Sequence, residues 1–305
     1  MDSPTAPRRN SAGLRRDLEL LETLGSPESE ANGGLGVVRI AEIVGRDKGQ
    51  VSRTLATLAD AGLVARDQST LNYRLGYQLY ALAARTLESR LVREALPFLR
   101  RVVTATHETA HLCVLRGDNV LTLSSQLSEY AFRGIGWEGV SVAAWMTSSG
   151  RVLISDRSEA DVRDWYDRHG HDRPVTGPVA PVSLAADRSA TASVPLSDEG
   201  IPSPSTETGT PLITDFDSFI SEITRIRERG YATVDEEFEM GVVGVSAPVF
   251  DFRGNIVAAI NVSAPKARLG RHLDAVGELV ASIAADLSLQ LGAGSAQTST
   301  FGAGE

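Results

Sequence analysis

A chain of 305 residues, 42% of them hydrophobic, has the material for two cores of ordinary size. No run approaches the ~18 consecutive apolar residues of a membrane span, and one cysteine, Cys113, excludes an internal disulfide. The net charge of -9 argues against indiscriminate binding to nucleic acid, yet residues 35–80 hold six Lys/Arg against four Asp/Glu and leave -11 for the remainder.

The polar start, with Arg8 and Arg9 and no apolar signal core, reads as a disordered arm over residues 1–13 of a cytoplasmic protein. A basic arm that touches phosphates or the minor groove is the alternative. Leu14 to Leu24 has helical spacing, and the Gly, Ser and Asn of residues 25–36 form a loop. Gly34-Leu-Gly36 completes neither a dinucleotide nor a phosphate loop, and no cofactor is expected. Arg39 to Gly45 is an amphipathic helix of about two turns closed by glycine. From Asp47 to Leu63 comes the second helix of a helix-turn-helix pair, with Asp47 as N-cap, Gln50 reaching back and Gly62 at the C-terminal end. Val51, Leu55 and Leu58 face a core, which turns Lys48, Gln50, Ser52, Arg53 and Thr57 outward. Leu63 to Arg66 and Tyr73 to Leu75 flank the polar turn Asp67-Gln-Ser-Thr as the hairpin of a winged version. The residues expected to contact double-stranded DNA are therefore Arg39, Lys48, Gln50, Ser52, Arg53 and Thr57, with Arg66 and Arg74 on the wing. A small helical pair with solvated charges is the competing reading.

Residues 77–91 are expected to be a linker helix with two apolar stripes, Leu75/Leu79/Leu82 and Tyr80/Ala83/Leu87/Leu91. One stripe can pack within the chain and the other on a second copy. Pro97 is expected to open a further helix, Phe98 to Ala105. A hairpin, His111 to Leu115 and Val120 to Leu123, then begins an antiparallel sheet. Thr147-Ser-Ser-Gly caps a helix from Arg151 to Ser155, and Ser158 caps another through Tyr166. Residues 171–213 carry seven of the thirteen prolines and read as a disordered insertion. An amphipathic helix from Asp215 to Arg229 follows, ended by Gly230. Strands are expected at Tyr231 to Glu237, Val242 to Phe250 and Ile256 to Ser263. Val242 to Phe250 is apolar enough for a central strand, and a helix from Leu273 to Leu291 covers one face. Residues 292–305 are a Gly/Ser tail, expected to be disordered.

Catalytic readings fail on detail, and no enzyme is expected. Gly244-Val-Ser-Ala-Pro248 lacks the second glycine of a nucleophile elbow and continues as a strand. His107, His111 and Cys113 resemble metal ligands only in spacing; His111 and Cys113 share a strand face and fit a structural role better. Asp235-Glu-Glu237 reads as solvated carboxylates at a strand end. Asn261 and Ser263, with Thr147, Ser148 and Ser149, are polar groups among apolar strands, and such groups cost roughly 1 to 3 kcal/mol each when buried without a partner. That partner is either a ligand or backbone carbonyls and water.

Both halves resemble the IclR-type bacterial transcriptional regulators. The resemblance is carried by Gly230-Tyr-Ala-Thr-Val-Asp-Glu-Glu237, Gly241, Ser246-Ala-Pro-Val-Phe-Asp251, Gly254 and Ala258 to Pro265 with Arg268-Leu269. In the N-terminal half it rests on Ala41-Glu-Ile, Lys48, Val51, Arg53, Leu55-Ala-Thr-Leu, Gly62-Leu-Val and Tyr73-Arg-Leu-Gly76. It implies an α+β chain: a winged helix-turn-helix domain at 14–76, the linker helix, and a GAF-like antiparallel-sheet effector-binding domain at 92–291. It also implies a homodimer or homotetramer on a palindromic operator and a small-molecule effector, such as an organic acid or aromatic compound. Matching the family's pocket positions brings Thr147, Ser148, Ser149, Gly244, Asn261 and Ser263 to the effector. Trp145 stands where the family's pattern has histidine and implies an aromatic wall. The family's aspartate falls at Val234, so the acidic contact is lost unless Asp235 supplies it.

Overall fold

The computed structural model describes residues 12–131, 133–134, 137–170, 175–176 and 213–294. Most of the expected arm, insertion and tail lies outside them. The chain divides into two compact units, with the division after Arg90.

In the first unit, α1 (Ala12–Leu24) starts within the stretch expected to be an arm. The expected loop contains a short helix, α2 (Pro27–Ala31), which follows from its residues: Ser26 accepts a hydrogen bond from Ser29 N and Pro27 sits in the first turn. Helix α3 (Val37–Val44) ends where Gly45 turns left-handed at φ 63°. Helix α4 (Lys48–Asp60) starts where Asp47 Oδ1 accepts from Gln50 N at 3.0 Å, and Gly62 follows its end at φ 71°. Strands β1 (Val64–Arg66) and β2 (Tyr73–Leu75) pair antiparallel, Arg66 opposite Tyr73. A Cβ at Gly76 would overlap the Gly62 carbonyl, so glycine is required where the wing returns past the end of α4. Leu20, Leu24, Leu35, Ile40, Val51, Leu55, Val64 and Tyr73 form the core, with Leu58 at its margin.

The expected single linker helix is broken. Helix α5 (Tyr77–Ala83) stops, and α6 (Leu87–Thr106) restarts after Thr86, whose hydroxyl accepts from Ser89 N at 3.3 Å. This Thr-x-x-Ser cap was legible but hidden under a continuous apolar pattern. Pro97, expected to open a helix, lies inside α6. Pro97 and Arg93 are both exposed, so water can replace the bond that the proline cannot donate to the Arg93 carbonyl.

The second unit is built on one antiparallel sheet in the order β6-β5-β4-β3-β9-β8-β7. Its strands are β3 (Thr109–Arg116), β4 (Asn119–Gln126), β5 (Ser141–Ala143), β6 (Val175–Thr176), β7 (Ala232–Asp235), β8 (Val242–Phe250) and β9 (Ile256–Pro265). Strand β6 falls inside the segment expected to be disordered; it adds to β5, Val142 opposite Val175, because backbone pairing at a sheet edge needs no apolar side chain. Side chains alternate between the two faces. Leu112, Val245, Ile260 and Val262 face α6 and the C-terminal helix (Leu273–Gln290), packing on Leu99, Val102, Val280 and Leu287. The opposite face is covered by α7 (Ser148–Leu153), α8 (Glu159–His169) and α9 (Phe216–Arg229), through Val152, Ile154, Trp165, Phe219 and Ile223. Strand β8 is thus covered on both sides, as its apolar run requires. Among the described residues, no helix is long and apolar enough to cross a membrane.

Candidate functional site: a nucleic-acid face and a cavity

On the first unit, packing of Val51 and Leu55 into the core leaves Lys48, Gln50, Arg53 and Thr57 exposed and Ser52 half-buried. Arg66 and Arg74 are exposed on the wing; Arg66 lies over the Tyr73 ring at 5.3 Å and its Nε donates to the Leu71 carbonyl. Among the described residues, Lys48, Arg53 and Arg74 have no carboxylate partner and remain available to phosphates or base edges. Arg39 differs. It is held by Glu28 at 2.8 Å and Glu42 at 3.4 Å, so a DNA contact by Arg39 would compete with two carboxylates.

On the second unit, strand alternation collects polar groups on the sheet face beneath α7. His111 and Cys113 of β3, Gly244 and Ser246 of β8, and Asn261 and Ser263 of β9 all lie there, while their neighbours face the other core. Thr147 caps α7 by accepting from Gly150 N at 3.0 Å, which sets Ser148 and Ser149 against the sheet. Both serines share hydrogen bonds with Ser246, at 2.9 and 3.1 Å. A side chain at position 244 would crowd Ser148 Oγ, at 3.2 Å from its Cβ, so Gly244 makes room for this contact.

All of these groups except Ser246 line a cavity of about 470 Å³. Its inner part has His111, Cys113, Thr122, Ser148 and Ser149, all buried; Glu239 and Met240 stand at its exposed mouth. His111 Nδ1 meets Ser125 Oγ at 2.9 Å and Nε2 meets Ser263 Oγ at 3.0 Å. Burial pushes its imidazole down to about 4, so it is neutral at neutral pH. Burial likewise pushes the Cys113 thiol up to about 11, which makes it a poor nucleophile. Beside the cavity Arg268 grips Glu108 with two hydrogen bonds, one of 2.7 Å.

Six of the eight expected effector residues line this cavity: Thr147, Ser148, Ser149, Gly244, Asn261 and Ser263. Trp145 does not. It lies in the short 3-10 turn Ala144–Met146, packs against the apolar cluster under α8 and α9, and its carbonyl accepts from Arg151 Nε at 3.0 Å. The aromatic wall is made instead by Trp137 and Phe238, whose rings are 6.1 Å apart, and His111 meets Trp137 edge-on at 6.4 Å. Trp137 sits in a stretch without periodicity, so nothing in its neighbourhood pointed to this role; alternation along β3 did point to His111. Asp235 is also absent from the lining, being paired with Lys266 at 3.0 Å. Glu237, expected to be solvated, has a buried side chain that pairs with buried Arg151 at 2.6 Å.

Two family models match the chain. The bacterial transcriptional regulator IclR C-terminal domain covers residues 84–176 and 197–289, and the IclR helix-turn-helix domain covers 13–68. The chain is 27% identical to the HTH-type transcriptional regulator BhcR of Paracoccus denitrificans over 288 residues, 92% of this chain and 88% of that one. It is 28% identical to the glycerol operon regulatory protein of Streptomyces coelicolor, over 94% and 98% of the two chains. In fold it is similar to the IclR of Thermotoga maritima, with a TM-score of 0.63 at 21% identity, covering 92% of this chain and 98% of that one. It is also similar to an IclR homologue from Microbacterium hydrocarbonoxydans complexed with 4-hydroxybenzoate, with a TM-score of 0.67 at 19% identity over 91% and 98%. With a winged helix-turn-helix unit, an antiparallel-sheet unit and family matches along both, the chain belongs to the IclR family of DNA-binding transcriptional regulators.

Proposed function

We propose that this regulator is ligand-responsive, binds a palindromic operator as a dimer or dimer of dimers in the cytoplasm, and senses a small molecule in the cavity beneath α7. The observation that carries this reading is the gathering of polar side chains from β3 and β9 with the start of α7 around a cavity of about 470 Å³, the size of a small-molecule site. The 4-hydroxybenzoate held by the Microbacterium homologue supports a small organic effector. Residues 14–76 are assigned to DNA binding, through Lys48, Gln50, Ser52, Arg53, Thr57, Arg66 and Arg74, and residues 92–291 to effector binding. A dimer is supported by the large apolar side chains exposed at 77–87: Tyr77 and Tyr80 at 78% and Leu87 at 82%.

The test has two stages. Thermal-shift screening of the full chain finds a ligand, which at 100 times its dissociation constant stabilises by about 2.7 kcal/mol. Gel-shift titration on the operator then measures the change in affinity caused by that ligand. Ser263→Leu, which fills the cavity, should abolish this change. If Ser263→Leu folds and responds like the parent chain, the cavity is not the effector site. If no ligand changes operator affinity, a constitutive regulator whose second unit only oligomerises is the better reading.

A further inference from the structure

One cation of the cavity lining stands without a counter-ion. Arg133 lies in the connection between β4 and β5, in the same stretch as the wall residue Trp137. Its Nη1 donates to the Tyr130 carbonyl at 2.7 Å, while Nε is buried without a hydrogen bond and Nη2 has no acceptor among the described residues. Nε and Nη2 form one edge of the planar guanidinium, the fork that receives both oxygens of a carboxylate. In Arg268, which also lines the cavity, that edge is occupied: Nε and Nη2 donate to the two carboxylate oxygens of Glu108. Arg133 has no such partner among the described residues. A buried donor on a charged group costs free energy when unpaired, and an anion at this edge removes that cost. The remaining lining carboxylate, Glu239, is exposed at the mouth and forms no ion pair with Arg133.

A second end of the cavity asks for different chemistry. Arg133 is tied to Tyr130, whose ring lies 4.7 Å from the guanidinium of Arg268, past the end of β9. Asn261 lies within β9, opposite Ser246. Its Nδ2 donates to Ser246 Oγ at 2.9 Å and to the Val245 carbonyl at 3.2 Å. A carbonyl only accepts, so the second contact fixes the amide orientation and leaves Oδ1 as an acceptor with no donor among the described residues. A carboxylate against Oδ1 would set acceptor against acceptor, whereas a hydroxyl can donate to it.

Resting on the effector site assigned above, we propose that Arg133 selects the charge of the effector: its Nε/Nη2 edge holds a carboxylate, and the far end of the same ligand donates a hydroxyl to Asn261 Oδ1. Trp137 and Phe238, whose rings line the cavity 6.1 Å apart, take the body of the ligand. One unpaired cation balances one carboxylate, so the ligand is a monoanionic hydroxy acid built on a ring.

Isothermal titration of the full chain tests this with two ring hydroxy acids, 4-hydroxybenzoate and shikimate, each against its own primary amide. The amide keeps the shape and the hydroxyls but turns an N–H toward the Arg133 fork. At least one acid should bind about tenfold or more tighter than its amide, the discrimination expected where a site's polar group must be paired. Arg133→Gln should bring that acid down to the affinity of its amide and leave the amide unchanged. Arg133→Lys, which keeps the charge and loses the fork, should recover only part of the difference. A merely structural Arg133 would weaken acid and amide alike. Asn261→Ser should weaken both together, because it removes the partner of the hydroxyl they share. In the parent chain, an amide that binds as tightly as its acid overturns the proposal whatever the fate of the variants, and so does failure of both acids at millimolar concentration. If Arg133→Gln retains the advantage of the acid, the anion is held elsewhere and the proposal falls. Operator gel shifts with the same probes keep this apart from the sensor reading. An amide that matches its acid and shifts the operator sinks the role of Arg133 and spares the sensor, whereas an acid held through Arg133 without effect on the operator does the reverse.

Discussion

Arg53 and Arg66 are both exposed cations, but their surroundings assign them different work. Arg53 projects from α4 with no carboxylate partner and can reach a base edge, so Arg53→Ala should weaken operator binding by about 1 to 3 kcal/mol and change the preferred base at one position. A binding profile over randomised operators reads both effects; an unchanged base preference would make Arg53 a phosphate contact. Arg66 is tethered over Tyr73 at the wing, where the contact proposed for it is with phosphates. Arg66→Ala should weaken all sequences alike and flatten the salt dependence. In the second unit His111 sets a pH dependence. Its folded pKa, about 4, lies below the ordinary 6.5, so between these values the unfolded chain binds a proton that the folded chain refuses. Stability is complete above pH 6.5 and falls as pH drops toward 4, by roughly 3 kcal/mol. Urea midpoints of the parent chain and His111→Gln should therefore converge as pH falls across this window, and parallel curves would show that His111 is not the titrating group.

At the scale of elements, α7 and the segment after β7 act together. Both line the cavity, through Ser148 and Ser149 on one side and Phe238 to Gly241 on the other. They are joined by the buried Arg151–Glu237 pair, whose guanidinium also donates to Trp145 O. Removing one partner strands a buried charge, so Glu237→Ala should cost about 3 to 5 kcal/mol, whereas Arg151→Met combined with Glu237→Leu should recover most of it. Chemical denaturation measures both, and a cost under ~1 kcal/mol for the single variant would mean that water reaches Arg151. The helix itself depends on Gly150, where a Cβ would overlap the Ala144 carbonyl, so the turn before α7 and the helix can approach only over glycine.

For the whole molecule the open questions are assembly and coupling. Tyr80 and Leu87 are exposed beyond what a lone chain tolerates cheaply, and the proposed dimer supplies their cover. Tyr80→Glu with Leu87→Glu should shift the sedimentation coefficient to that of a monomer and lower operator affinity, since a palindrome rewards two linked half-site readers. An unchanged coefficient would place the interface elsewhere. If ligand and operator are coupled, the factor by which ligand changes operator affinity must equal the factor by which operator changes ligand affinity. Two titrations check that equality.

Local chemistry made the DNA-binding half legible. Asp47, Gly45 and Gly62 mark helix ends through caps and positive φ, and Val51 and Leu55 orient α4, all within a few residues of chain. Alternation along β3, β8 and β9 was equally legible, and with it the face to which His111, Asn261 and Ser263 belong. The sequence concealed interactions between distant positions. Apolar continuity through residues 77–91 masked the Thr86 cap, and backbone pairing recruited Val175–Thr176 to a sheet edge despite their proline-rich surroundings. Which aromatic ring walls the cavity, and that Glu237 is buried against Arg151 instead of solvated, depend on segments 86 or more positions apart in the chain meeting in space. Pattern within one element determines which face a side chain takes; only the tertiary structure decides what it finds there.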